Sequence, residues 1–303
     1  MQMKRTVLFI AALITACVAA QAQLLYRISG GGLKAPSYIV GTYHLAPPAF
    51  ADSITGLKKA IDEVAQVYGE VDMAVMMQPA NVNKVRQAMD MTDGTTLDKL
   101  LSPDEMNRLN ALMKELFGAD LTHPVLAQQM NKLSPQAMVT QLTMLMFLKR
   151  TPNFDASSQL DGHIQNMARD KKKKVGGLET IDDQIKALYK GIPYSRQKTL
   201  LMCLVDNRAW MEQQMDDMVK AYFSQDLDEV QRVNDETLNS DCDATDEEKS
   251  ILVDNRNDAW MKKLPALFKA SPTLVAVGAA HLVGEKGLLA QLRKAGFTVE
   301  GVK

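Results

Sequence analysis

Residues 271–281 read SPTLVAVGAAH, and residues 37–48 read SYIVGTYHLAPP. Each is an apolar β-type run that enters a glycine, Gly278 or Gly41, and each delivers a histidine three residues later, His281 or His44. A glycine at a strand's exit lets the chain turn sharply or pass close to another backbone, and this lifts the following side chain to the edge of a sheet. The two runs lie at opposite ends of the sequence, so a fold that pairs them builds one sheet from both termini. Ligands bind beyond the strand ends in open α/β sheets, and two histidines delivered there can meet over one crevice.

The flanking segments extend this pattern. LLYRIS (24–29), the turn-like GGGLKAPS (30–37), the helical DSITGLKKAIDEVA (52–65) and the strand-like QVYGEVDM (66–73) surround the first run. After the second come a helix in LVGEKGLLAQLRKA, stopped by Gly296, and a last strand in FTVEGV. From about residue 78 to about 270 helical patterning dominates, interrupted by one strand in KKVGGLE (173–179). The expected class is α/β: a mixed central sheet made from N- and C-terminal segments, with a long helical insertion, as a single domain over residues 23–303. The methionines that alternate with leucine in QLTMLMFLKR and AWMEQQMDDMVKAY suit apolar helical faces better than a soft-metal site. The run Lys171 to Lys174 reads as a solvated loop, and the echo of LVDNRAWM in LVDNRNDAWM reads as chance.

Residues 1–22 are set apart as an export signal: a basic MQMKR, an apolar TVLFIAALITACVAA and a small-residue AQA site ending at Ala22. ITAC, ending at Cys17, offers a second reading as the lipobox of a lipid-anchored protein. The expected location is the periplasm or cell envelope, with no transmembrane span in the mature chain. With Cys17 removed, Cys203 and Cys242 remain, either as a disulfide or as two thiols. A net charge of −1 gives no reason to expect nucleic acid as a partner.

A third strand ends in acid. GEVD places Glu70 and Asp72 on one side of an extended chain. Two imidazoles and a carboxylate are a common donor set for a divalent transition metal that keeps a position open for water or substrate. The bland alternative has both histidines bonded to loop backbone. His123, before a proline, and His163, on an amphipathic helix, read as structural or exposed. The His-Glu-x-x-His helix, the Gly-x-Ser-x-Gly elbow, the phosphate loop and the dinucleotide fingerprint are all absent.

The stretches YRISGGGLKAPSYIVGTYHL, GEVD, LDGHIQNMARDKKKKVGGLETIDDQ and RNDAWMKKLPALFKASPTLVAVGAAHLVGEKGLLAQLRKAGFTVE resemble the TraB/GumN family, which is related to the Tiki metalloproteases. The likeness runs from about Leu24 to the C-terminus. It implies a split α/β core and a metal-assisted hydrolytic site built from His44, His281 and Glu70, with Asp72 nearby. Glu179, Arg256 and Asn257 match further family positions with a site or supporting role. Arg256 is open to two readings, a fork for a substrate carboxylate or oxyanion and an ordinary salt bridge. The resulting expectation is an exported metal-dependent hydrolase acting on peptide or protein, using manganese, cobalt or zinc, with Asp72 or Glu179 as base or orienting acid. Its rivals are a non-catalytic peptide- or haem-binding protein of the envelope and a scaffold with a relict site.

Overall fold

The computed structural model describes residues 23–155 and 157–303, so the leader and Cys17 lie outside the described residues. Six strands form one sheet: β1 (Leu25–Gly30), β2 (Ser37–Thr42), β3 (Gln66–Gly69), β4 (Lys174–Gly177), β5 (Thr273–Gly278) and β6 (Phe297–Gly301), in the order β4-β3-β5-β2-β1-β6. β2, β5, β3 and β4 are parallel neighbours, while β1 pairs antiparallel with both β2 and β6. The sheet is therefore mixed and drawn from both ends of the chain, as the sequence pattern indicates.

Burial explains which runs became central. β2 and the first five residues of β5 are buried throughout, as expected for strands covered on both faces, whereas β6 alternates buried and exposed positions along FTVEG at the sheet's edge. Ile28, Ile39, Val40, Val67, Leu274, Val275 and Val277 form the sheet's share of the core, and Ile61, Ile164, Trp260, Leu264 and Leu288 cover it from the helices. A three-glycine turn, with φ of 72°, 55° and 80° at Gly30, Gly31 and Gly32, joins β1 to β2; successive positive φ values exclude most other residues there.

The register aligns the exits. Thr42 lies opposite Gly278, and Gly69 lies opposite both Ala276 and Gly177, so the carboxyl ends of four parallel strands open on one side. The helical insertion is not detached from this sheet, because it returns through β4 to pair with β3. Its remaining helices enclose a second core around Leu109, Met113, Met138, Leu142, Phe147 and Leu201, in which the methionines act as packing residues. Within the lysine run, Lys171, Lys172 and Lys174 are exposed and Lys173 is half-buried. Lys173 Nζ donates to the carbonyls of Asp62 and Val64 at the end of the helix Leu57–Glu63, where a cation complements the helix terminus. No helix among the described residues is long and apolar enough to cross a membrane.

Cys203 and Cys242 form a disulfide, with Cα atoms 5.5 Å apart across a sequence separation of 39. Closing a loop of that length removes unfolded-state entropy worth about 4 kcal/mol, of which engineered cases often deliver less. The Cys203→Ser/Cys242→Ser double variant is expected to lose about 2–4 kcal/mol in urea denaturation. A change below about 1 kcal/mol would show that the helical region does not depend on this bridge.

Candidate functional site

The two motif glycines allow close approach. A Cβ on Gly41 would lie 3.0 Å from Leu282 Cδ1 and 3.2 Å from Ala279, in the turn that carries His281. At Gly278 it would lie 3.3 Å from Glu70 Oε1 and 3.6 Å from His281 Cδ2. Neither glycine has a positive φ, so the requirement is space rather than backbone conformation.

His281 is 5% exposed in a short turn after β5 and packs against the Trp260 ring at 4.5 Å. Its Nδ1 lies 2.8 Å from Asn257 Oδ1. The amide nitrogen of Asn257 donates to the carbonyls of His281 and Lys286, both at 3.1 Å, which fixes the amide's orientation and makes Oδ1 the acceptor. Nδ1 therefore carries the proton and Nε2 is the acceptor, 3.0 Å from Arg256 Nη1. Burial pushes the ring's pKa down to about 4 against the pull of Glu70, with Arg256 and His44 adding to the fall. The ring is neutral at physiological pH.

Glu70 follows β3 and is 8% exposed. One oxygen accepts from Gly278 N at 2.9 Å, and the other accepts from Arg256 Nη2 at 2.5 Å and Gln184 Nε2 at 3.3 Å. Burial opposes its ionisation, but the two imidazoles, Arg256 and the Gly278 amide outweigh it and hold the pKa down to about 2. Arg256 also grips Glu179 with two bonds of 3.0 and 2.6 Å, and its guanidinium lies 4.9 Å from the Trp260 ring centroid. The ion-pair reading of Arg256 is thus realised twice over.

His44 is open to the cleft, with 62% of its side chain accessible. Its Nδ1 lies 3.1 Å from Asp161 Oδ2, and the other carboxylate oxygen accepts from Thr42 Oγ1 at 2.6 Å. The Asp161 carboxylate beside the ring raises its pKa to about 9. Nε2 has no protein partner among the described residues. His44, His281, Glu70 and Arg256 all line one cavity of about 590 Å³ at the strand exits, whose other walls include Tyr43, Met73, Met76 and Tyr222. Tyr222 Oη donates to the Gly41 carbonyl at 3.0 Å, steadying the end of β2.

Asp72 and Glu179 stand outside this cavity's lining. β3 stops at Gly69, so strand alternation does not reach Asp72, which instead caps the helix Met73–Met76 and pairs with Arg169. The Glu179 side chain is 5% exposed, with its oxygens bonded to Arg256 and to Trp260 Nε1. Asp72 is thus held at a helix start, and Glu179 reaches the cleft through Arg256. Asn257 supports His281, while His123 and His163 lie away from the cleft. Sequence reading missed Asp161 and Thr42. A signal existed for Asp161, because it and Gln165 are polar residues four apart beside the apolar positions Leu160, Ile164 and Ala168 of one helix.

Two imidazoles and an ionised carboxylate are donor types that can hold a divalent metal. Each imidazole has its Nδ1 held by an outer partner, the arrangement that leaves Nε2 for a metal, and Glu70 supplies an ionised carboxylate. Among the described residues no three or more His, Cys, Asp and Glu side chains are already gathered into a metal cage. The Arg256 guanidinium touches both His281 Nε2 and Glu70. Metal entry would therefore require Arg256 to withdraw from Nε2, and its two bonds to Glu179 give it a place to remain.

A family model described as TraB/PrgY/gumN matches residues 24–301, nearly the whole chain. No curated protein and no solved structure is found to match it.

Proposed function

The chain belongs to the TraB/PrgY/gumN family, and from that premise we propose that it is an exported metal-dependent hydrolase that acts on peptides. The observation that carries the reading is the pair of imidazoles on one cleft, each with Nδ1 engaged from behind and Nε2 directed away from that partner. His44, His281 and Glu70 would hold manganese, cobalt or zinc. Such an ion, when bound, polarises a carbonyl and lowers the pKa of its water.

The protein's own groups have separate tasks. Asn257 keeps the proton of His281 on Nδ1, and burial beside Trp260 keeps that ring neutral. Gly278 N–H and Arg256 hold Glu70 ionised and fixed in direction. The apolar cleft walls can receive uncharged side chains. Export is supported by the leader pattern and by the Cys203–Cys242 disulfide, a bond that persists in oxidising compartments.

A second reading is favoured by the same apolar walls and the accessible His44: a protein that binds a peptide or haem without cleaving it. A peptide library incubated with the mature chain and each of the three metals separates the two. Cleavage that stops with chelator and is absent in His44→Ala is the expected result. A Soret shift on haem addition, lost in His44→Ala, with no peptide cut under any metal, would replace the hydrolase reading by the binding one.

A further inference from the structure

The helix Leu160–Asp170 buries two polar side chains one turn apart, Asp161 at 8% exposure and Gln165 at 1%. Gln165 Nε2 donates to the Val71 carbonyl at 2.9 Å, and its oxygen accepts from Met73 N at 2.9 Å, which pins the segment that follows Glu70. The helix's first residue is tied to the other motif, since Leu160 N donates to the Ala46 carbonyl at 3.1 Å. Asp161 then reaches Thr42 and His44, the last residue of β2 and the residue two beyond it. One helix thus joins the strand exits that carry His44 and Glu70.

We propose that Asp161 is the positioning residue of His44, fixing the ring with its proton on Nδ1 and its Nε2 toward the cleft. The Thr42 hydroxyl donates to one carboxylate oxygen and so holds the carboxylate in one orientation. An ionised carboxylate only accepts, so the imidazole nitrogen facing the second oxygen must be the protonated one. A neutral imidazole in water prefers the opposite tautomer, with the proton on Nε2, a form unable to ligate or accept through that atom. Asp161 therefore stands to His44 as Asn257 stands to His281: each sits behind its ring, one an anion and the other a neutral amide. The charge difference suits their surroundings, because Arg256 Nη1 lies 3.0 Å from His281 Nε2 whereas the His44 side chain is largely exposed to solvent in the cleft. The consequence for catalysis rests on the hydrolase reading, but the tautomer does not.

The test is 15N spectroscopy of histidine-labelled, metal-free protein at about pH 10, where the His44 ring is neutral. The full chain should show His44 protonated at Nδ1 and bare at Nε2, and Asp161→Leu, which removes the acceptor while keeping the branched skeleton, should move the proton to Nε2. A proton on Nε2 in the unsubstituted protein would overturn the assignment, and so would an unchanged tautomer in a folded Asp161→Leu variant. If Asp161→Leu does not fold, the spectrum of the unsubstituted chain still decides. Manganese or zinc titration of the same variant at that pH, where no His44 proton competes with the ion, should show affinity about 10–100-fold weaker, the usual effect of losing a ligand's outer partner. Failure of the unsubstituted chain to bind either ion would remove the hydrolase reading and leave the tautomer result standing.

Discussion

Arg256→Met destabilises the protein by about 3–5 kcal/mol at neutral pH, the usual cost of removing one partner from a buried ion pair. Three features place the variant at this end of the range. The guanidinium neutralises two carboxylates at once, Glu70 and Glu179, which are 8% and 5% exposed at their side chains. It also lies over the Trp260 ring, so the change removes a cation–aromatic contact as well as hydrogen bonds. Methionine keeps the stem's volume but leaves both acids with no cation between them. The effect has a pH signature. Glu70 has a pKa of about 2 in the fold against an ordinary 4.5, so its ionisation contributes stability above about pH 4.5 that is lost as pH falls toward 2. The variant lacks one of the groups that sustain this contribution, after the two imidazoles, so the gap between the two proteins should narrow as pH falls below about 4.5. Urea denaturation at neutral pH and near pH 4 measures both, and a loss under about 1 kcal/mol would mean the carboxylates find other partners.

Affinity for a divalent metal should rise about tenfold per pH unit through the neutral range and level off near pH 9. Glu70 is ionised above about pH 2 and His281 is neutral above about pH 4, so neither has a proton to lose at neutral pH. His44 is different, because Asp161 holds its ring protonated up to about pH 9. Metal must displace that one proton from Nε2, and below about pH 9 each unit of acidity costs one factor of ten. Asp161→Asn, which removes the charge that raises the pKa, should shift the plateau toward lower pH. Calorimetric titration in two buffers of different ionisation enthalpy counts the released protons directly. An affinity that stays flat from about pH 6 to about pH 8, with no proton released, would exclude His44 Nε2 from the metal's ligands.

The parts of this fold that were readable in advance are those written in local pattern. Two continuous apolar runs ending in Gly-x-x-His identified β2 and β5, which do lie side by side, and KKVGGLE identified β4 inside a helical stretch. Asp72 shows where local reasoning stops. Strand alternation would reach it only if β3 continued beyond Gly69, but the chain turns into a helix there and the aspartate becomes its cap. The pairing of His44 with Asp161 spans 117 residues and that of Glu70 with Arg256 spans 186, and no periodicity carries information over such distances. The disulfide was equally hidden, since two cysteines in a sequence do not disclose how far apart their Cα atoms lie. Asp161 and Gln165 were half legible as a polar pair on an apolar helix face, but their partners were not.

Metal binding by the mature chain, purified without a histidine tag and titrated with manganese, cobalt and zinc beside His44→Ala and His281→Ala, tests the central claim most directly. One ion bound per chain, with binding lost in both variants while their circular dichroism is unchanged, is the predicted result. Binding that survives in either variant, or no binding of any of the three ions by the unsubstituted chain, would contradict a metal held between the two strand-exit histidines.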